Sequence, residues 1–228
     1  MGFDSSPAWI SLKTTFTATF ITFFLGIAAA YWMNNYNGKF KNLVDVILTL
    51  PLVLPPTVVG FFLLLIFGKN GPVGKILLRF GINLIFSWPA NVMAASVVAF
   101  PLMYKTTKGA FEQMDINIVN AARTLGVSEW RAFRRVILPL AWPGIAAGTV
   151  LSFARALGEF GATIMIAGNI PGKTETIPVA IYFAAENGEM NKALIWVIII
   201  VAISMIVMLL INYWSDHQWK HLNNERSM

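Results

Sequence analysis

The sequence predicts an all-α membrane protein of five transmembrane helices, with one long cytoplasmic loop between the third and the fourth. Three observations point there. Apolar residues make up 57% of the 228 and charged residues only 12%, about half the charged share of a water-soluble domain, and the mean hydropathy is +0.65. Charge-free runs fall at 14–38, 46–68, 80–104, 136–154 and 193–215, each close to the roughly 20 residues a helix needs to cross a hydrocarbon core. Between the third and fourth runs lies the one polar connection long enough to hold helices of its own.

The same composition excludes several classes of function. There is no cysteine, so disulfides and thiolate metal sites are impossible. Both histidines, His217 and His221, lie near the end of the chain, which leaves the apolar body without an imidazole for a haem, a metal or general-base catalysis. No cofactor is expected. The net charge of +6 is dispersed among apolar runs rather than gathered on a polar face, so a bilayer with an anionic leaflet accounts for it better than nucleic acid.

Taken in order, residues 1–8 form an external N-terminus, and 9–215 a transmembrane domain with spans at about 10–34, 44–68, 85–106, 140–167 and 193–214. The first run lacks a basic leader and exceeds the usual ~7 to 15 apolar residues of a cleaved signal, so it is expected to stay in the chain. Tryptophans mark boundaries at headgroup level: Trp9 and Trp32 around the first run, Trp88 and Trp142 opening the third and fourth, Trp196 and Trp214 around the fifth. In the second span Pro51, Pro55 and Pro56 remove backbone donors and must kink or break the helix. A break exposed to lipid is too costly, so this one should face other helices or a water-filled path, either shaping the packing or moving within a pathway. Pro101 acts similarly in the third span.

The fourth span carries Gly144, Gly148, Ser152 and Ala156 at steps of four, with Ala154, Gly158 and Ala162 on a neighbouring stripe, spacing that permits close helix approach. The charge-free stretch 176–185 is too short to cross and suits an interfacial or re-entrant helix. Residues 216–228 form a cytoplasmic tail. With the N-terminus outside and the C-terminus inside, ten of the 17 basic residues lie on the cytoplasmic side and six outside, with Arg155 within a span, which sets the orientation by the positive-inside rule.

The cytoplasmic loop, 107–138, reads as two short helices. Asp115 can cap one that starts at Ile116, and Gly126 stands where a left-handed C-terminal cap belongs. Ser128 can cap a second, with Trp130, Phe133 and Ile137 on one face, Arg131, Arg134 and Arg135 on another, and Pro139 fixing its end. From pattern alone the segment is either an amphipathic helix on the membrane surface or one shaped for a groove on another protein.

Asn120-Ala121-Ala122, three residues, Gly126, nine residues, then Val136-Ile137-Leu138-Pro139 resembles the cytoplasmic EAA signature of the binding-protein-dependent ABC importer permeases, E-A-A-x3-G-x9-I-x-L-P. Asn120 stands where the family usually has Glu, and Val136 where it has Ile. With Pro51 to Gly60 (PLVLPPTVVG), Phe153 to Thr163 (FARALGEFGAT) and Asn169 to Pro178 (NIPGKTETIP), the resemblance extends over nearly the whole chain, to the molybdate permeases first and more distantly to the sulfate/thiosulfate permeases. It implies the type I ABC importer permease fold in the cytoplasmic membrane. Two copies would line a central pathway, each docking its EAA helix into a cytoplasmic ABC ATP-binding subunit, with an external molybdate-binding protein delivering the anion. The coupling residues it implies are Asn120, Ala121, Ala122, Gly126, Leu138 and Pro139, and the ATPase activity would reside in the partner, so the chain is not itself an enzyme.

Arg155 and Glu159 are spaced to pair four apart within the fourth span, where an uncompensated charge costs about 2.5 to 3.5 kcal/mol. They form either a structural ion pair or a source of positive potential along an anion route. Two further patterns are weaker. Ala167 to Thr174 (AGNIPGKT) satisfies the loose phosphate-loop pattern but lacks the strand before and the long helix after it. Asp216, His217 and His221 have metal-compatible spacing in what reads as a solvated tail. The rival classes are an intramembrane enzyme, which would need a convergent polar cluster in the spans, and a passive channel, which needs no coupling loop. Molybdate, tungstate and sulfate share charge and shape, so the sequence leaves the choice among them open.

Overall fold

The computed structural model describes residues 4–226, with side chains through 209. Its elements are α1 (Ser6–Asn35), α2 (Lys41–Val53), α3 (Pro56–Phe67), α4 (Pro72–Arg79), α5 (Trp88–Glu112), α6 (Ile116–Thr124), α7 (Glu129–Ala132), α8 (Leu138–Leu157), α9 (Gly161–Ala167), α10 (Ile177–Glu186) and α11 (Met190–Arg226), with no strand among the described residues.

α5 is the central helix, packed against α1, α2, α3, α8 and α9. α1 meets it with an inverted face. Its buried positions are mostly small or hydroxylic, among them Ser11, Thr14, Thr15, Ala18, Thr19, Thr22, Gly26 and Ala30, whereas Phe16, Phe20, Phe24 and Leu25 are exposed. In a bilayer, large apolar side chains gain nothing by leaving lipid, so close backbone approach selects small residues at the contact. A Cβ on Gly26 would lie 2.5 Å from Met103 Cγ. Trp88 Nε1 donates to Thr14 Oγ1 at 3.0 Å and the Ile177 amide to Ser11 Oγ at 2.7 Å. Such interhelical bonds contribute roughly 0.6 kcal/mol each, so packing dominates and the hydroxyls fix register. The Gly144, Gly148 and Ser152 stripe of α8 lies against α5 in the same way, a Cβ on Gly144 falling 2.5 Å from Ala110 Cβ and Ser152 Oγ donating to the Ala99 carbonyl at 3.4 Å.

The proline run breaks the second span at Leu54–Pro55, and α2 and α3 meet at 115°. Elsewhere the structure differs from the sequence reading. Pro139 does not end the second loop helix: α7 continues through a π-helical turn, Phe133–Ile137, into α8, giving one helix over Glu129–Leu157. In that wide turn the Leu138 amide donates five residues back, to the Phe133 carbonyl, which makes room for the proline ring without a break. Ser128 holds the N-cap position, yet its hydroxyl makes no capping bond. The span at 140–167 is two helices, because α8 stops at Leu157 and α9 begins only at Gly161. Trp196 is 1% exposed and packed with Ile177 and Ala180.

Among the described residues three helices are long and apolar enough to cross a membrane, over Ser6–Asn35, Glu129–Leu157 and Met190–Leu209, and the bent α2–α3 pair makes a fourth if it is counted as one span. α5 is 25 residues long but stands outside that set. It carries Lys105, Lys108 and Glu112, and surrounding helices bury much of its length.

Candidate functional site: the coupling segment and the broken helices

α6 is built as the sequence dictates. Asp115 Oδ1 accepts from the Asn117 amide at 2.9 Å and caps its first turn. At the far end Gly126 takes φ +75°, the Gly126 amide donates to the Arg123 carbonyl and the Val127 amide to that of Ala122, a Schellman-type stop. Arg123 then grips Glu129 with two bonds of 2.7 and 3.0 Å, Nε to Oε1 and Nη2 to Oε2, which fixes the turn between α6 and α7. Asn120 Oδ1 accepts from Arg123 Nη1 at 3.4 Å, so the residue standing in place of the signature Glu contacts the turn weakly. Of α6 only Val119 is buried. Ile116, Ile118, Leu125 (83% exposed) and Trp130 (70%) leave an apolar surface uncovered beside Asn120 and Ala121. Ala122 is half-buried. Leu138 and Pro139 lie at the start of α8, about two turns past Trp130 along the same continuous helix.

The second region lies at the helix breaks. α3 and α9 pack together: a Cβ on Gly60 would stand 2.7 Å from Ala162 Cα, and one on Gly161 would stand 3.0 Å from Pro56 Cβ. The starts of both half-helices therefore meet. Arg155 Nη1 lies 2.8 Å from Glu159 Oε2, with the Glu159 side chain 1% exposed and that of Arg155 28%. Glu159 also accepts from the Ala162 amide through Oε1 at 2.7 Å. It stands in the break after α8, not on the span, and one carboxylate closes the first turn of α9 while holding the guanidinium of α8.

A charged cluster that sequence reasoning missed joins α2 to α5. Asp45 accepts from Tyr104 Oη at 2.5 Å, Lys105 Nζ at 2.7 Å and Lys108 Nζ at 2.7 Å, and Glu112 lies 3.7 Å from Lys108. The partners are some 60 residues apart in the chain, so no local spacing announces them. The only available signal was that Asp45 is the sole acidic residue of α2.

The phosphate-loop pattern is a turn. The amides of Lys173, Thr174 and Glu175 all donate to the Ile170 carbonyl, so none is free to cradle a phosphate. Asn91 Nδ2 pins the turn through the Thr174 carbonyl at 2.8 Å. Glu175 borders a cavity of about 250 Å³ with Asp4, Asn169, Glu189 and Lys192, and burial, aided by Asp4, pushes its carboxyl above the usual range against the pull of Lys192. Among the described residues no cluster of ligands suits a metal. Asp216, His217 and His221 lie outside the residues whose side chains are described.

With helices on this plan, a broken apolar pair and a capped helix anchored to the bundle through Val119 alone of its residues, the class is that of a transport component, and the chain belongs to the family described as the binding-protein-dependent transport system inner membrane component, which matches residues 22–220. It is an integral, multi-pass membrane protein and a transport subunit, not an enzyme. It is 45% identical over 217 residues to the molybdenum transport system permease protein ModB of Escherichia coli (strain K12), covering 92% of this chain and 94% of that one. The ModB of Haemophilus influenzae is 40% identical over 215 residues, covering 93% and 94%. Among solved structures, a bacterial alginate ABC transporter in complex with an alginate pentasaccharide-bound periplasmic protein aligns with TM-score 0.77 at 18% identity, over 94% of this chain and 83% of that one. The fold is that of the type I ABC importer permeases.

Proposed function

We propose that the chain is the membrane-spanning permease subunit of an ATP-driven importer that carries molybdate across the cytoplasmic membrane. The observation that carries the transport mechanism is α6: a short helix capped at both ends, seated on the edge of the bundle by Val119, with an uncovered apolar surface. The substrate reading is supported by the relatives named for molybdenum transport, which match over more than nine tenths of both chains.

In this reading α6, with Asn120, Ala121 and Ala122, seats in a groove of a cytoplasmic ATP-binding subunit, and two copies of the chain face each other across the pathway. α5 is the fifth span, the N-terminus lies outside and the C-terminus inside. An external molybdate-binding protein supplies the anion, and no cofactor takes part. α6 is tied to α5 through 113–115 and to the continuous α7–α8 helix through 125–128. When ATP draws two partner subunits together, the paired α6 helices move with them and load two spans each, which rotate as rigid bodies. Leu138 and Pro139 sit where the π-helical turn passes that load into α8. The Arg155–Glu159 pair holds the break between α8 and α9 in shape.

The test is molybdate uptake into proteoliposomes containing this chain, its ATP-binding subunit and the external binding protein. Uptake is expected to require both ATP and the binding protein and to withstand excess sulfate. Flux that persists without ATP would instead identify a passive channel.

A further inference from the structure

α2 is weakly held by packing. None of its 13 residues is buried, its main partner is α5, and Leu43, Val46, Ile47, Leu50 and Val53 are all exposed. Its apolar contact with the core runs through Val44 and Leu48, both only partly buried, which gives such a helix little to fix its angle to the bundle. One polar contact does fix it: the Asp45 carboxylate takes three donors from α5, at 2.5 Å from Tyr104 and 2.7 Å from each of Lys105 and Lys108. Tyr104 is fully buried and its ring stacks on Phe100 at 5.9 Å, so the hydroxyl is a fixed point, while the two ammonium groups supply the charge that holds the carboxylate to it.

The position of this clasp gives it a role. On α5 its donors lie four to eight residues before Glu112, the last residue of the helix, and α6 begins at Ile116 after three connecting residues. On α2 it lies near the start of the helix whose other end turns by 115° into α3, the half-helix that packs on α9. The clasp therefore joins the end of α5 that bears α6 to the broken span. Resting on the permease reading above, we propose that Asp45 is a positioning residue: its charge clasp makes α2 follow the coupling end of α5, so that movement of α6 swings the bent α2–α3 pair. Packing would let α2 lag behind; the clasp does not.

Asp45→Asn separates charge from shape, because an amide oxygen still accepts from Tyr104 while the attraction for both lysines is lost. K105M/K108M removes the same charges from the other side and leaves the Tyr104–Asp45 bond. The experiment uses the complete complex in proteoliposomes, with molybdate as the probe, and measures molybdate moved per ATP hydrolysed. That ratio is unaffected by how much protein assembles. We expect about a tenfold fall in D45N, within the usual range of coupling between sites, a similar fall in K105M/K108M, and no further fall in the triple variant, as one shared network requires. Wild-type ratios in the variants, or losses that multiply in the triple, would overturn the clasp. If D45N does not assemble, K105M/K108M alone decides by the same criterion. A wild-type complex with no ATP-driven uptake would remove the permease reading itself, an outcome distinct from a failed clasp in a working transporter.

Discussion

Glu159 serves two helices with one carboxylate, and the consequence of disturbing it follows from its burial. Arg155→Ala would leave a carboxylate that is 1% exposed without its counter-charge, a loss of about 3–5 kcal/mol. The variant should melt earlier and import little. R155A/E159Q, in which the amide oxygen still accepts from Ala162, should recover both melting temperature and uptake. Recovery of stability without uptake would mean that Arg155 acts on the anion itself. At Gly126 the cost is in the backbone, since nothing lies within 4 Å of an added Cβ. Gly126→Val at φ +75° strains the turn by about 1–2 kcal/mol, enough to misplace α6, and hydrolysis should continue while molybdate moved per ATP drops.

Glu175 gives a pH-dependent residue-scale prediction. Its carboxyl is raised in the folded state, so the fold prefers it protonated, and its ionisation opposes folding as pH rises above the unfolded value of 4.5. Glu175→Gln should therefore raise the melting temperature at neutral pH, and the gain should shrink to nothing as pH falls through that value. A gain that persists in acid would show that burial of the charge is not its cause.

At the scale of elements, the breaks decide the architecture. Pro51, Pro55 and Pro56 announce the α2–α3 break because proline lacks an amide and clashes with the preceding turn, which any sequence shows. The α8–α9 break is announced less plainly: Gly158 and Gly161 flank Glu159 and Phe160 and weaken a helix there, but apolar stretches continue on both sides and mask the stop. There the start of α9 is set by the close approach of Gly161 to Pro56 and Thr57 and by the Glu159 cap on the Ala162 amide, neither of which local sequence shows. Asp45 was hidden for a similar reason, its partners lying on another helix, and the burial of Trp196 against α10 leaves no mark on local hydropathy. The Gly126 stop and the small-residue face of α8 were legible, since a backbone conformation and a close approach each demand a particular residue type. The α3–α9 contact is open to test: Gly60→Ala places a methyl 2.7 Å from Ala162 Cα, backbone that cannot yield cheaply, and should cost about 1–3 kcal/mol. Gly109→Ala, in α5 with open space around it, should be neutral or stabilise by about 0.4–1 kcal/mol. Equal effects at the two sites would argue against tight α3–α9 packing.

For the whole molecule, the central claim is mechanical. α1 buries a small and hydroxylic face against α5 while Phe16, Phe20 and Phe24 turn outward, and α6 is the one described helix that is amphipathic, capped at both ends and uncovered on its apolar side. The natural chain has no cysteine, so a single thiol introduced at Ala121 reports on that helix alone. The most direct measurement is crosslinking of Ala121→Cys to neighbouring proteins in cells that import molybdate. The expected product joins this chain to an ATP-binding subunit and stops uptake when it forms. Adducts with lipid alone, in cells that continue to import, would contradict the account.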